Sequence, residues 1–174
     1  MTTFMLMRHG QPDFSGPKRW EAPGWGSDLA PLSDAGVQQV MRRLSMIQAF
    51  QPEIVISSPM ARALQTALVI RQGLLVPFRV EFDLHEWVPD RTFQWRTLAE
   101  VEALQGDYEN NNGVCPPGET RLWETSESVR QRMLAVLKRY YAYTRVLAIS
   151  HSMAIKAITG ADRVEMAGVV KIDV

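Results

Sequence analysis

The chain has 174 residues, 46% hydrophobic and 22% charged, a balance that belongs to a folded globular domain with a substantial core and excludes a disordered segment. Lys plus Arg and Asp plus Glu each number 19, so the formal charge is zero. Without surplus positive charge, nucleic acid or an anionic membrane is unsuited as the main partner, and any anion must be held by a local cluster of Arg and His.

The start, MTTFMLMRHG, has neither the basic leader nor the long apolar region of a signal peptide. No apolar run approaches the ~18 residues of a membrane span. A first strand is predicted over residues 4–7, where the apolar run stops abruptly at Arg8-His9-Gly10. Residues 11–31 carry four prolines and three glycines and read as a long loop. A helix opens at Ser33, a plausible N-cap, with Val37, Val40, Met41, Leu44 and Ile47 on one face. A second strand is predicted over 54–56, then a helix over 60–72 closed by Gly73, a third strand over 78–82, and a short helix over 98–105 ended by Gly106. A second long loop is expected over 107–120, a clear amphipathic helix over 128–141, a fourth strand over 146–149, and a last helix from His151 to near Gly160. Long loops inside compact domains are often functional lids.

Strand and helix alternate, so the expected fold is α/β: a three-layer, mostly parallel sheet with helices on both faces, in one domain over residues 1–174. Cys115 is the only cysteine and sits before Pro116-Pro117-Gly118, which reads as an incidental loop thiol. A lone thiol fits a reducing compartment, and the cytoplasm is the expected location.

In parallel α/β sheets, ligands bind beyond the carboxyl ends of the strands. The residues just past each strand here are of one kind: Arg8-His9-Gly10, then Ser57-Ser58 leading to Arg62, then Leu84-His85-Glu86, then Ser150-His151-Ser152. A lone Arg or His at a strand end is ordinarily a surface or salt-bridge residue, but the coincidence at four strands argues for a site. Arg8 and Arg62 carry planar forks that match phosphate oxygens, and helices starting after Ser58 and His151 would add backbone N–H groups. No Walker-type loop and no Asp cluster suited to magnesium is present, so no metal and no cofactor are expected.

These residues carry a family resemblance. Arg8-His9-Gly10, Ser57-Ser58-Pro59 with Arg62-Ala63 and Thr66-Ala67, Leu84-x-Glu86 and Ser150-His151 together resemble the histidine phosphatase superfamily, the phosphoglycerate-mutase-like fold. Leu32-Ser33-x-x-Gly36-x-x-Gln39 and Pro117-Gly118-Glu119-Thr120 are similar to its subsidiary motifs. The resemblance implies a nucleophile, His9, forming a phosphohistidine; a turn at Gly10; oxygen contacts from Arg8, Arg62 and His151; and proton transfer by Glu86, with Asp83 and Asp90 as fallback. It further implies phosphate contacts near Ser15 or Gln11 and at Ser152, and an edge strand at the C-terminus. His85 reads as structural or solvent-facing.

The implied function is a metal-independent phosphatase acting on a small phosphorylated metabolite. The alternatives are mutase-type phosphoryl transfer, a phosphatase for a phosphorylated protein side chain, a phosphate-binding member without turnover, or a zinc site of the three histidines, whose spacing matches no metal motif. Trp20, Trp25, Trp87, Phe93, Trp95 and Trp123 favour a larger, partly apolar substrate if they form a rim, but could equally pack as core.

Overall fold

Successive side chains of a strand face opposite sides of a sheet, and in β1 (Thr3–Arg8) both sides are apolar. The computed structural model describes residues 1–174 and answers this pattern with two separate cores. Five strands, β1, β2 (Ile54–Ser57), β3 (Phe78–Val80), β4 (Arg145–Ser150) and β5 (Val169–Asp173), lie in the order β3-β2-β4-β1-β5. The first four run parallel and β5 pairs antiparallel with β1, so the expected mostly parallel sheet is present with one antiparallel edge.

The helices are α1 (Ser15–Arg19), α2 (Asp34–Met41), α3 (Leu44–Phe50), α4 (Ala61–Arg71), α5 (Leu98–Asn110), α6 (Ser126–Lys138) and α7 (Ser152–Thr159). Phe4, Leu6, Ile54, Ile56, Val146 and Ala148 pack with α6 and α7 on one face. Met5, Met7, Val55, Leu147 and Ile149 pack with α2, α3 and α4 on the other. Each fully buried large side chain contributes roughly 1.5–3 kcal/mol. The result is the three-layer architecture that the alternation of elements implied.

Five local expectations change. The helix from Ser33 is broken at residues 42–43 into α2 and α3, although Ser33 does cap it, its Oγ accepting the Gly36 N–H at 3.1 Å. Gly73 does not supply a left-handed cap: α4 ends at Arg71 with a right-handed residue after it. The third strand stops at Val80, and Phe82–Leu84 forms a 3-10 turn. Gly106 does not end α5, which runs on to Asn110 and takes the start of the expected 107–120 loop. A capping box of Thr97 and Glu100 starts that helix well, and a mid-helix glycine costs only about 1 kcal/mol. Within 11–31, α1 and a 3-10 segment, Gly24–Leu29, replace the expected plain loop.

Gly36 holds the loop after β1. A Cβ there would meet the Gln11 carbonyl oxygen at 2.2 Å, and one on Gly10 would meet the Gly36 oxygen at 2.6 Å. Gly10 thus serves close approach of two backbones; its φ is not positive, so the expected tight turn is not what requires it. Ser33 Oγ donates to Gln11 O at 3.1 Å and Gln39 Oε1 accepts the Gln11 N–H at 2.8 Å, which completes the clasp. Gly36→Ala should destabilise by about 1–3 kcal/mol through overpacking. Gly106→Ala, with nothing within 4 Å of the new Cβ, should stabilise by about 0.5–1 kcal/mol. Denaturant midpoints of the two variants check both signs.

Candidate active site

Arg8 closes β1 and Ser150 closes β4, and the two residues are opposite each other in the parallel ladder. His9 and His151 come next in the chain and therefore leave the same end of adjacent strands. Their ring centroids lie 5.0 Å apart. Arg62 arrives from the first turn of α4, and Glu86 from the segment after the 3-10 turn.

His9 is 4% exposed. Its Nδ1 donates to its neighbour's carbonyl, Gly10 O, at 2.7 Å, which leaves Nε2 without a proton, and Nε2 accepts Arg62 Nε–H at 3.1 Å. Each nitrogen of Arg62 has one partner, Nη1 donating to Asp28 Oδ1 at 2.8 Å and Nη2 to Met60 Sδ at 3.3 Å. Thr66 accepts the Gly10 N–H at 3.1 Å and donates to Arg62 O at 2.8 Å, linking α4 to the His9 loop. His151 Nε2 lies 2.8 Å from Ser58 Oγ, whereas its Nδ1 is buried without a partner. Arg8 Nη1 donates to Val164 O at 2.7 Å, and its buried Nε is also unpartnered.

Glu86 sits against the start of α7. Its Oε1 accepts the N–H groups of Trp87 at 2.9 Å and Ala154 at 3.1 Å, and its Oε2 that of Met153 at 3.3 Å. The positive end of the helix therefore holds a carboxylate of the chain itself, instead of offering those donors to a ligand as expected.

Burial decides the charge of the histidines. Desolvation first, and then the Arg62 guanidinium, push the His9 pKa down to about 3. The same two causes hold His151 well below the ordinary imidazole range. Both rings are neutral near physiological pH. Desolvation raises the Asp28 carboxyl in spite of the Arg62 charge beside it. Burial lowers His85 as well, with Arg132 adding to the effect.

The model of the histidine phosphatase superfamily (branch 1) matches residues 4–165. The chain belongs to this superfamily. The uncharacterized phosphatase PhoE of Bacillus subtilis is 27% identical over 161 residues, covering 91% of this chain and 76% of the relative. The adenosylcobalamin/alpha-ribazole phosphatase of Escherichia coli is 23% identical, covering 84% and 71%. The bifunctional protein Rv2228c of Mycobacterium tuberculosis is 28% identical over 90% of this chain, which spans only 43% of that protein. Among solved structures, the native mycobacterial glucosyl-3-phosphoglycerate phosphatase Rv2419c superposes with a TM-score of 0.76 at 20% identity, covering 99% and 90% of the two chains. Bacillus stearothermophilus YhfR does so with 0.76 at 22%, covering 100% and 92%, and the two confirm the fold.

A cavity of about 460 Å³ is lined by residues that include Arg8, Arg62, Glu86, Trp25, Trp95 and Ser152; His9, at 4% exposure, and the fully buried His151 are not on that lining, and His9 meets it through its hydrogen bond to Arg62. Ser152 is the first residue of α7 and stands on this lining. Ser15 does not reach the cavity: it is exposed at the start of α1, with its N–H on Asp13. Gln11 is likewise exposed and held through its backbone. The Pro117–Thr120 stretch stays outside the lining, where Glu119 pairs with Arg121 at 2.5 Å. His85 is buried, its Nδ1 donating to Glu86 O at 2.6 Å, so it is structural and not solvent-facing. The aromatic residues divide: Trp25, Trp87 and Trp95 line the cavity, Trp123 is core, and Trp20 is 78% exposed. No three His, Cys, Asp or Glu side chains converge as a metal donor set, and no helix is long and apolar enough to cross a membrane.

Asp28 is the site residue that sequence reading missed. Its only local signal is an acidic residue in the Pro- and Gly-rich 11–31 segment, and nothing in that spacing names Arg62 as its partner. The histidine shifts have a consequence for stability. A group with a depressed folded-state pKa is protonated first in the unfolded chain, so its contribution is present above 6.5 and lost as pH falls toward the folded value. Stability should decline from pH 6.5 toward about 3. Urea midpoints across that window should fall less steeply for His9→Gln than for the unaltered protein.

Proposed function

We propose that the chain is a phosphoric monoester hydrolase that works through a phosphohistidine on His9. The observation that carries this reading is the tautomer of His9: Nδ1 is tied to Gly10 O, so the lone pair on Nε2 is the one presented beside Arg62. A neutral, oriented imidazole is the form that can attack phosphorus. The relatives of Bacillus subtilis and Escherichia coli, both phosphatases by name, support the assignment.

The Nε2 lone pair forms the N–P bond while the bond from phosphorus to the ester oxygen breaks. Glu86, entering the cycle protonated, gives its proton to that leaving oxygen and becomes the carboxylate held at the start of α7. A water then attacks phosphorus, Glu86 takes its proton, the N–P bond breaks, and inorganic phosphate leaves. Arg8, Arg62 and His151 hold the non-bridging oxygens. For His151, donation from Ser58 Oγ–H to Nε2 leaves the proton on Nδ1, the atom without a partner, as a donor for phosphate. Such preorganised donors are worth about 2.7–4 kcal/mol each in comparable sites.

The cavity suits a small phosphorylated metabolite with an apolar body, because Trp25, Trp87, Trp95 and Met153 form much of its wall. Lys18, Arg96 and Lys156 stand on the same lining and add a cationic rim. The single free thiol, Cys115, fits a reducing compartment, and we assign the enzyme to the cytoplasm.

Arg62 has to change partners in each turnover. Its Nε–H covers the attacking lone pair and Asp28 holds Nη1, so a phosphoryl group competes with a carboxylate for one guanidinium. Asp28→Asn should tighten competitive inhibition by inorganic phosphate at least about threefold, since it removes a negative charge next to the anion; an unchanged or weaker inhibition constant would contradict the exchange. His9→Ala should abolish hydrolysis of an aryl phosphate with the circular dichroism spectrum intact, and acid quenching of the unaltered enzyme should trap an acid-labile phosphoprotein. Hydrolysis should persist in EDTA. Wild-type activity in His9→Ala would exclude this nucleophile.

A further inference from the structure

Residues 83–88 carry Glu86 to the cavity with little regular structure, because the 3-10 turn ends at Leu84 and the next helix starts at Leu98. A buried irregular strip needs partners for its backbone groups from elsewhere. Three of them come from one side chain. Arg132, on α6, donates from Nη1 to Asp83 O at 2.7 Å and His85 O at 2.9 Å, and from Nη2 to Glu86 O at 3.2 Å. The same guanidinium pairs with Glu124, Nε to Oε1 at 2.7 Å and Nη2 to Oε2 at 2.9 Å.

Glu124 in turn grips the strip from its other end. Its Oε2 accepts Val88 N–H at 3.4 Å, its own N–H donates to Val88 O at 2.9 Å, and its carbonyl accepts the Trp87 indole N–H at 2.7 Å. The remaining carbonyl, Leu84 O, accepts Ser150 Oγ–H at 2.8 Å, immediately before His151. Every carbonyl from residue 83 to 86 is thereby tied down by α6 or β4.

We infer that Arg132 and Glu124 form a positioning clamp that sets where Glu86 presents its proton. The inference rests on the reading of Glu86 as the proton carrier and adds the residues that aim it. The polar atoms of both side chains are spent on the backbone of this strip and on each other, so both act through Glu86 and not on substrate. Glu86 is held on one side by the N–H groups at the start of α7 and on the other by this clamp. The clamp is the side made of side chains, and so the side a substitution can loosen. A guanidinium suits the task because its five N–H groups in a planar fork can serve three carbonyls and a carboxylate together, which a lysine ammonium cannot. Proton transfer is sensitive to such placement, since a displacement of about 1 Å can cost about a hundredfold in rate.

The test compares an alkyl phosphomonoester, whose leaving oxygen needs a proton, with p-nitrophenyl phosphate, whose leaving group does not. Arg132→Met/Glu124→Gln removes the fork without leaving a lone buried charge, and Arg132→Lys keeps the charge but not the geometry. Thermal melts identify folded variants. The clamp predicts that kcat/KM on the alkyl ester, which covers the steps up to departure of the leaving group and not the later attack of water, falls about tenfold or more, with kcat/KM for p-nitrophenyl phosphate and the phosphate inhibition constant little changed. Arg132→Lys should show a smaller loss of the same selectivity, and neither change should lower alkyl-ester kcat/KM further in Glu86→Gln. Equal losses on both substrates, or full additivity with Glu86→Gln, would overturn the clamp while leaving Glu86 its role. If Glu86→Gln itself lowers kcat/KM for both substrates alike, the proton-carrier reading falls and the clamp falls with it. If the double variant does not fold, Arg132→Lys alone decides between these outcomes.

Discussion

The site depends on the register between β1 and β4. Arg8 stands opposite Ser150, and one residue later each strand delivers an imidazole to the same edge of the sheet. A slip of one residue would turn either histidine to the other face, because side chains alternate along a strand. The slip is resisted on both faces at once. Phe4 and Leu6 fill one core while Met5 and Met7 fill the other, and β4 is fully buried from Val146 to Ser150. Two hydrophobic cores thus fix a spacing between two polar groups, and the 5.0 Å between the rings is set by packing far below them.

Dehydration is the second consequence of that placement. Fully and nearly fully buried imidazoles beside Arg62 stay neutral, and neutrality is what nucleophilic attack and single-proton donation require. The site manages its charges by lending them to one another. Asp28 occupies Arg62, the start of α7 occupies Glu86, and Arg132 neutralises Glu124 under the strip that carries Glu86. Arg62 is thus already hydrogen-bonded to His9 and Asp28, whereas Arg8 keeps an unpartnered Nε, so the two guanidinium groups of the site differ in how much of their donor capacity is taken. Such internal pairing suits an anion site in a chain of zero formal charge.

The subsidiary elements show why local signals carried unequal information. Ser33, Gly36 and Gln39 resembled a family motif, and the structure supplies its physics: a helix start that clasps the Gln11 backbone just past His9. Gly106 and Gly73 were read as helix terminators on intrinsic preference, yet α5 runs through one and α4 ends before the other without using it. Glycine preference is worth about 1 kcal/mol, a margin that capping and packing readily override. Ser15 fails for a different reason. The segment after His9 turns into α1 and carries that side chain out to solvent.

What the sequence by itself determined is what repeats with a local period or sits at the end of an apolar run: the alternation of strands and helices, the two-faced burial of β1 and β4, and the chemistry at the strand ends. Those signals span a few residues and need no knowledge of neighbours. Only the tertiary structure decided which charges meet. The Asp28 carboxylate lies 34 residues from Arg62, Ser58 lies 93 from His151, and Arg132 lies 46 from the Glu86 carbonyl it holds. Such pairings form where folded surfaces close on each other, and a side chain's own neighbours in the chain hold no record of them.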